Sequence, residues 1–216
     1  MRTLLTLFVA TLPAFSHTLT FDRSLPRLYQ VTTVNVDGAD RTLNVGQLGI
    51  WIDTVYDIMA YCAAPGITLL TGPTDVNAVP ETLFNEGQRL AWIYNFYNPS
   101  VTQGWEAAAV QVAIWEIILD STDDLSAGRF RYSADAQIRS RAIAILAASA
   151  NQSGDGVVFW VPTNGPSFSQ TLLSADPTPT PEPPAFILGA AGLLLLLGKF
   201  PNAKRVLPEN QPAIGV

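Results

Sequence analysis

Two residues of this 216-residue chain have types that can react with one another: Cys62 and Gln111. Cys62 is the only cysteine. Gln111 sits in AAAVQVAIWEIILD, residues 107–120, a stretch without Gly or Pro that predicts a helix. At 3.6 residues per turn, Glu106, Glu116 and Asp120 share one side with Ala109 and Ala113, the side expected to be solvated. Gln111 falls on the opposite side, among Ala107, Ala108, Ile114, Trp115 and Ile118, so its amide is expected to face the core. An unpaired amide there costs roughly 1–3 kcal/mol. Three explanations stand open. Backbone groups satisfy the amide. The helix is buried all round and each polar residue finds a partner. Or the amide is an acyl donor: a nearby thiol displaces ammonia and forms a thioester, which lasts only where water is excluded. An aromatic such as Trp115 would help to exclude it.

The ends of the chain set the context for that cysteine. MRTLLTLFVATLPAFSHT has one Arg, an apolar run and then small residues, the plan of a secretory signal peptide, with cleavage expected after Ser16 (residues 1–16). At the other end a Pro/Thr linker, residues 177–183, leads into an apolar run of 15 residues, 184–198. A tail, 199–216, follows with Lys199, Lys204 and Arg205. The run is short for a membrane span, but a stiff spacer before it and basic residues after it argue for a membrane helix with its basic side in the cytoplasm. Pro181, Glu182 and Pro183, the apolar helix and the basic cluster together resemble the PEP-CTERM sorting signal of Gram-negative bacteria. That resemblance implies export through the inner membrane, transient anchoring by the C-terminal helix, cleavage by an exosortase and delivery to the cell surface or extracellular matrix. The tail from Val206 to Val216 runs on past the basic residues, beyond the usual end of such signals.

In an exported chain a single cysteine has no partner for an internal disulfide. It is a small buried hydrophobe, a link to another chain, or chemically used. The only histidine, His17, lies at the expected mature N-terminus, so a Cys–His dyad would require that terminus to fold onto Cys62. One thiolate and one imidazole do not make a zinc site, and no cofactor is expected. The net charge of −6 and the lack of a basic stripe argue against nucleic acid as a partner.

The elements that must position Cys62 and Gln111 follow from periodicity. YQVTTVNV alternates as a strand, and Asp37-Gly38 signals a hairpin turn. TLNVGQLGIWI reads as the next strand, and VYDIMAYCAAPG as an apolar element with Cys62 near its end. Residues 66–82 read as irregular. Three helices follow: NEGQRLAWIYNFYN, GWEAAAVQVAIWEIILD, and SADAQIRSRAIAILAASANQ with Ser133 as its expected cap. GVVFWVPT and SFSQTLL then read as two strands. Strands at both ends with about three inserted helices define an α+β body over residues 17–176.

Tyr61-Cys62 and the segment Val110, Gln111, Val112, Ala113, Ile114, Trp115 resemble the two signature motifs of the Cys–Gln thioester domains of bacterial surface adhesins. In that family an aromatic or leucine precedes the cysteine, a hydrophobe precedes the glutamine, and Trp or Phe follows it by four residues. Tyr61, Val110, Ile114 and Trp115 occupy those positions. The spacing of 49 residues suits the shorter forms, and the resemblance covers roughly residues 45–150. The departure is Ala63-Ala64, where the family often has a hydrophobe and an acid. The resemblance implies an internal Cys62–Gln111 thioester and covalent capture of an amine, or a hydroxyl, on a surface protein or matrix polymer. That is single-use acyl transfer rather than turnover, so the chain is expected not to be an enzyme. The alternatives are a non-covalent matrix- or carbohydrate-binding surface protein and, with no base beside Cys62, a cysteine hydrolase. Asp120, Asp123 and Asp124 lack the EF-hand pattern and read as a helix end and loop. Trp92, Tyr94, Phe96 and Tyr97 read mainly as core, with a sugar platform as the minor reading.

Overall fold

In a computed structural model, the described residues are 16–22, 28–67, 72–120, 122–165 and 169–177. The sorting motif, the apolar run and the basic tail lie outside them, as does the expected signal peptide up to residue 15.

Alternation builds the first hairpin. In β2 (Tyr29–Val36) Thr32, Val34 and Val36 turn inward, and the strand pairs along its whole length with β3 (Ala39–Gly46). The two-residue turn between them needs positive φ at both positions, which Asp37 (52°) and Gly38 (84°) supply. β7 (Phe130–Arg131) joins the other edge of β2 and completes a three-stranded sheet, β3-β2-β7.

The segment expected as one strand over residues 42–52 divides between two sheets. β3 ends at Gly46, and β4 (Leu48–Ile52) belongs to a closed antiparallel barrel. Gly46 has φ 146°, and a side chain there would collide with the carbonyl of Leu28; the next residue, Gln47, donates its N–H to that carbonyl at 2.9 Å. Hydrophobic alternation continues through the break, so pattern alone hides it.

The barrel runs β1-β4-β5-β9-β8-β6, closing through β1. Its further members are β1 (Ser16–Asp22), β5 (Val55–Cys62), β6 (Thr74–Pro80), β8 (Val157–Pro162) and β9 (Leu172–Ala175). β1 and β6 were not expected. β6 lies in the stretch read as irregular, since Asp75 and Asn77 disfavour strand locally and pairing to β1 and β8 prevails. β9 starts later than the SFSQTLL reading placed it.

Three helices sit between β6 and β8: α1 (Gly87–Tyr97), α2 (Gly104–Leu119) and α3 (Ala136–Ser149). The α+β class, with strands at both ends of the body, is what the structure shows. α3 is capped by Asp135, whose carboxylate accepts from the N–H groups of Gln137 and Ile138; Ser133, the expected cap, lies two residues too early. α2 packs against α3 and against β2 and β3. Every residue of α2 from Ala107 to Ile117 is buried, so the side carrying Ala109, Ala113 and Glu116 is not solvated as its residue types suggested. Only the ends behave as expected, with Asp120 partly exposed at the C-cap and, in the first turn, Glu106. Its carboxylate accepts from the N–H groups of Thr102 and Gln103 and closes the helix N-terminus. Among the described residues no helix is long and apolar enough to cross a membrane.

Candidate functional site

Strand pairing places Cys62. On β5 the aligned residues Tyr61, Leu173 and Phe159 share one face, which α1 and the turn before it cover: Tyr61 meets Tyr94 edge-on at 6.2 Å, and Phe159 stacks on Phe84 at 3.8 Å. Cys62, Leu172 and Trp160 share the opposite face, which lines the barrel interior.

Backbone polarity explains Gln111. The β4–β5 ladder reaches its last pair at Leu48 and Ala60. Cys62, two residues on, turns its N–H and C=O to the same edge, where β4 no longer runs. Gln111 reaches in from α2 and replaces the missing strand. Its Oε1 accepts the N–H of Cys62 at 2.9 Å, and its Nε2 donates to the C=O of Cys62 at 2.7 Å. With a C=O length of 1.23 Å, the first contact holds the Gln111 amide carbon within about 4 Å of the Cys62 nitrogen. The only cysteine and the core-facing glutamine thus meet, and both are buried: Cys62 is 8% and Gln111 1% exposed.

The thiol itself points to a residue that sequence reasoning did not single out. Cys62 Sγ donates to Oε1 of Gln170 at 2.6 Å, and Nε2 of Gln170 donates to the C=O of Ile67. Gln170 precedes β9 by two positions and belongs to no motif; its only sequence signal is a polar residue in phase with Leu172. Burial pushes the Cys62 thiol up to about 12, so it is held as the neutral S–H. Among the described residues no cation or imidazole is positioned to lower it. His17 is spent elsewhere, its Nδ1 2.7 Å from Asp53 and its ring edge-on to Trp160.

The other motif residues form the packing around this pair. Tyr61 is fully buried; desolvation raises its hydroxyl well above the ordinary tyrosine range, and the hydroxyl makes no hydrogen bond of ordinary geometry among the described residues although Gln47 lies beside it. Ile114 is fully buried, and Trp115 packs edge-on against Phe130 at 5.9 Å. Val110, 2% exposed, backs a narrow cleft of about 20 Å³ with Tyr97, Val101 and Arg141. The site is buried, with apolar residues of α2 on either side of Gln111. Pro181, Glu182 and Pro183 lie outside the described residues.

The remaining candidates have structural work. Asp120 accepts the N–H groups of Arg129 and Phe130, Asp124 caps Ser126, and Asp123 takes a two-point contact from Arg89 at 3.0 and 2.7 Å. No group of acids, cysteine and histidine suited to a metal occurs among the described residues. Trp92 and Phe96 stack at 4.9 Å with Phe96 61% exposed, while Tyr94 is buried and donates its O–H to the C=O of Met59.

The fold and site thus define an α+β body whose one thiol and the inward carboxamide of Gln111 share a buried junction between barrel and helix. No family model matches the chain, and no curated protein matches it. Among solved structures the chain is similar to the N-terminal thioester domain of fibronectin-binding protein SfbI from Streptococcus pyogenes, with a TM-score of 0.43 and 15% identity over 72% of this chain and 100% of that domain.

Proposed function

We propose that this chain is an exported covalent binder, not an enzyme, which stores a Cys62–Gln111 thioester and spends it on an amine, or a hydroxyl, of a surface protein or matrix polymer. The observation that carries this reading is the double hydrogen bond between the Gln111 amide and the backbone of the sole cysteine. The same contacts serve the chemistry. Sγ adds to the Gln111 amide carbon, and the negative charge that develops on Oε1 meets the Cys62 N–H, a donor already in place. The C–N bond breaks, the nitrogen takes the thiol proton, and ammonia leaves. In the second step a target amine adds to the same carbon, the S–C bond breaks, the sulfur regains a proton, and an amide joins target to protein. Burial of Cys62 and Gln111 keeps bulk water from the bond, so it is stored rather than hydrolysed.

The terminal segments fit this use. A signal peptide over residues 1–16 would export the body, the helix over 184–198 would anchor it in transit, and an exosortase-type enzyme would process it at Pro181, Glu182 and Pro183. The destination would be the surface or matrix of a Gram-negative bacterium.

Intact mass tests the central claim. The purified protein is expected to be lighter than its sequence by one ammonia, methylamine is expected to add its own mass, and proteolytic fragments should join Cys62 to Gln111. Full sequence mass together with a freely titrating Cys62 thiol sinks the reading. One observation favours a second reading, a non-covalent matrix- or carbohydrate-binding protein: both polar atoms of the Gln111 amide have backbone partners as it stands, and Phe96, exposed and stacked on the partly buried Trp92, offers an aromatic face. Cys62→Ala separates the two. It abolishes attachment under the first reading and leaves binding intact under the second.

A further inference from the structure

We infer that Gln170 is a positioning residue for Cys62, holding the thiol hydrogen away from Gln111 so that a sulfur lone pair is free to meet the Gln111 amide carbon. This inference rests on the thioester reading.

Three features lead to it. Gln170 lies two residues before Leu172, the strand partner of Cys62, and the N–H of Ala63 extends that ladder to the C=O of Thr171. Gln170 therefore shares the face on which the thiol stands. Its orientation is not free. The Ile67 carbonyl can only accept, so Nε2 must face it and Oε1 must face the sulfur. And the neutral thiol has one proton to place; with that proton on Gln170 Oε1, the sulfur presents lone pairs to its remaining sides.

The two glutamines are not equivalent as acyl groups. Gln111 Oε1 has the Cys62 N–H to hold a developing negative charge. Among the described residues no backbone N–H reaches Gln170 Oε1, which faces the thiol alone. Gln170 gains and loses no proton in the cycle. During closure the S–H turns off Oε1 as the S–C bond forms, and its proton passes from sulfur to the Gln111 nitrogen, which leaves as ammonia. During opening the restored S–H returns to Oε1.

The test follows ring closure in the full chain, recovered in denaturant and returned to buffer, by loss of one ammonia in the intact mass. Gln170→Leu removes the acceptor and is expected to close about tenfold or more slowly than wild type, the scale set by misplacing a reacting group. Gln170→Glu retains an acceptor oxygen and is expected to close within about threefold of wild type. A second readout is independent of closure. In the Gln111→Ala background, adding Gln170→Leu should lower the pH midpoint for alkylation of Cys62, because Oε1 stabilises S–H over thiolate, whereas adding Gln170→Glu should not lower it; loosened packing, which hydrates the thiolate, would lower it in both. The assignment is overturned if Gln170→Leu closes at the wild-type rate, if both variants slow equally while melting like wild type, or if Gln111→Ala alone still loses ammonia, which would make Gln170 the acyl group. A wild-type chain that never loses ammonia overturns the thioester reading and this one together. A wild type that closes, with Gln170→Leu closing as fast, overturns only the role of Gln170.

Discussion

Helix α2 buries two long polar side chains five residues apart, and their surroundings differ. Gln111 has its acceptor and its donor both matched by the backbone of Cys62. Glu116 is equally inaccessible, at 0% exposure, yet neither carboxylate oxygen has a hydrogen-bond partner among the described residues. Burial first, then the charge of Asp120 and of Asp123 and Asp124, pushes the Glu116 carboxyl up to about 7, while the Asp124 backbone pulls the other way at a geometry short of a hydrogen bond. The difference is the end of a strand. The strand pairing of β5 leaves two backbone groups for Gln111 to meet, and among the described residues no such edge meets Glu116. A buried polar residue becomes a site when unpaired backbone waits for it, not because it is buried.

Four perturbations break or sharpen that contrast. The largest effect belongs to Gln111→Leu. It orphans the N–H and C=O of Cys62 in a buried environment, and relative to the amide form stability in urea should fall on the order of 2–5 kcal/mol. A loss under about 0.5 kcal/mol, the range of an ordinary surface substitution, would mean that the double contact contributes nothing.

Gln111→Glu turns the first residue into a likeness of the second, and it is also the product that water would make of the proposed thioester. A carboxylate there faces the Cys62 carbonyl without a donor, so burial raises its folded pKa above the unfolded one. The native state then binds more protons, and stability is fullest in acid and declines as pH rises. The variant should melt roughly 5–10 °C further below wild type at pH 8 than at pH 5. An equal gap at both pH values would contradict the picture.

For Glu116→Gln the sign reverses relative to wild type. The Glu116 carboxyl titrates near 7 when folded against 4.5 for the free group, so its penalty is absent below about 4.5 and grows as pH rises to about 7. Replacing it should stabilise the protein at pH 8 by on the order of 1–3 kcal/mol and do little at pH 4.5. Differential scanning calorimetry at the two pH values checks it, and a pH-independent difference would remove Glu116 from the account.

The smallest effect repeats the contrast at a surface. Asp135→Ala strips α3 of a cap that accepts two N–H groups and should cost about 1 kcal/mol, whereas Ser133→Ala should cost almost nothing. Both are read from chemical denaturation midpoints.

Much of the local structure was legible in the chain. Asp37-Gly38 between alternating segments encodes the hairpin because that turn needs two positive φ angles. The three helices follow their apolar spacing, and α1 ends at Asn98-Pro99 as its sequence indicates. Where reading failed, long-range pairing had overruled local pattern. β6 forms from a segment with weak strand character because β1 and β8 flank it. The run over residues 42–52 divides because Gly46 and Gln47 turn at Leu28. Helical periodicity sees only its own helix and so sets Glu116 in solvent, whereas α2 is flanked by α1 and α3 and by β2, β3 and β7, with Asp123 and Asp124 near Glu116.

The site divides in the same way. By itself the sequence determined that Gln111 turns inward, since 3.6 residues per turn sets it among Ala107, Ala108, Ile114 and Ile118, and that there is one thiol for it to meet. Only the tertiary structure decided that the two do meet. That required β4 to stop at Leu48, so that the edge of β5 at Cys62 lacked a partner, and α2 to cross at the height of that gap. Gln170 belongs wholly to the second category. Its contact with the thiol depends on the register of β9 against β5, a relation between residues 108 positions apart that no local spacing contains.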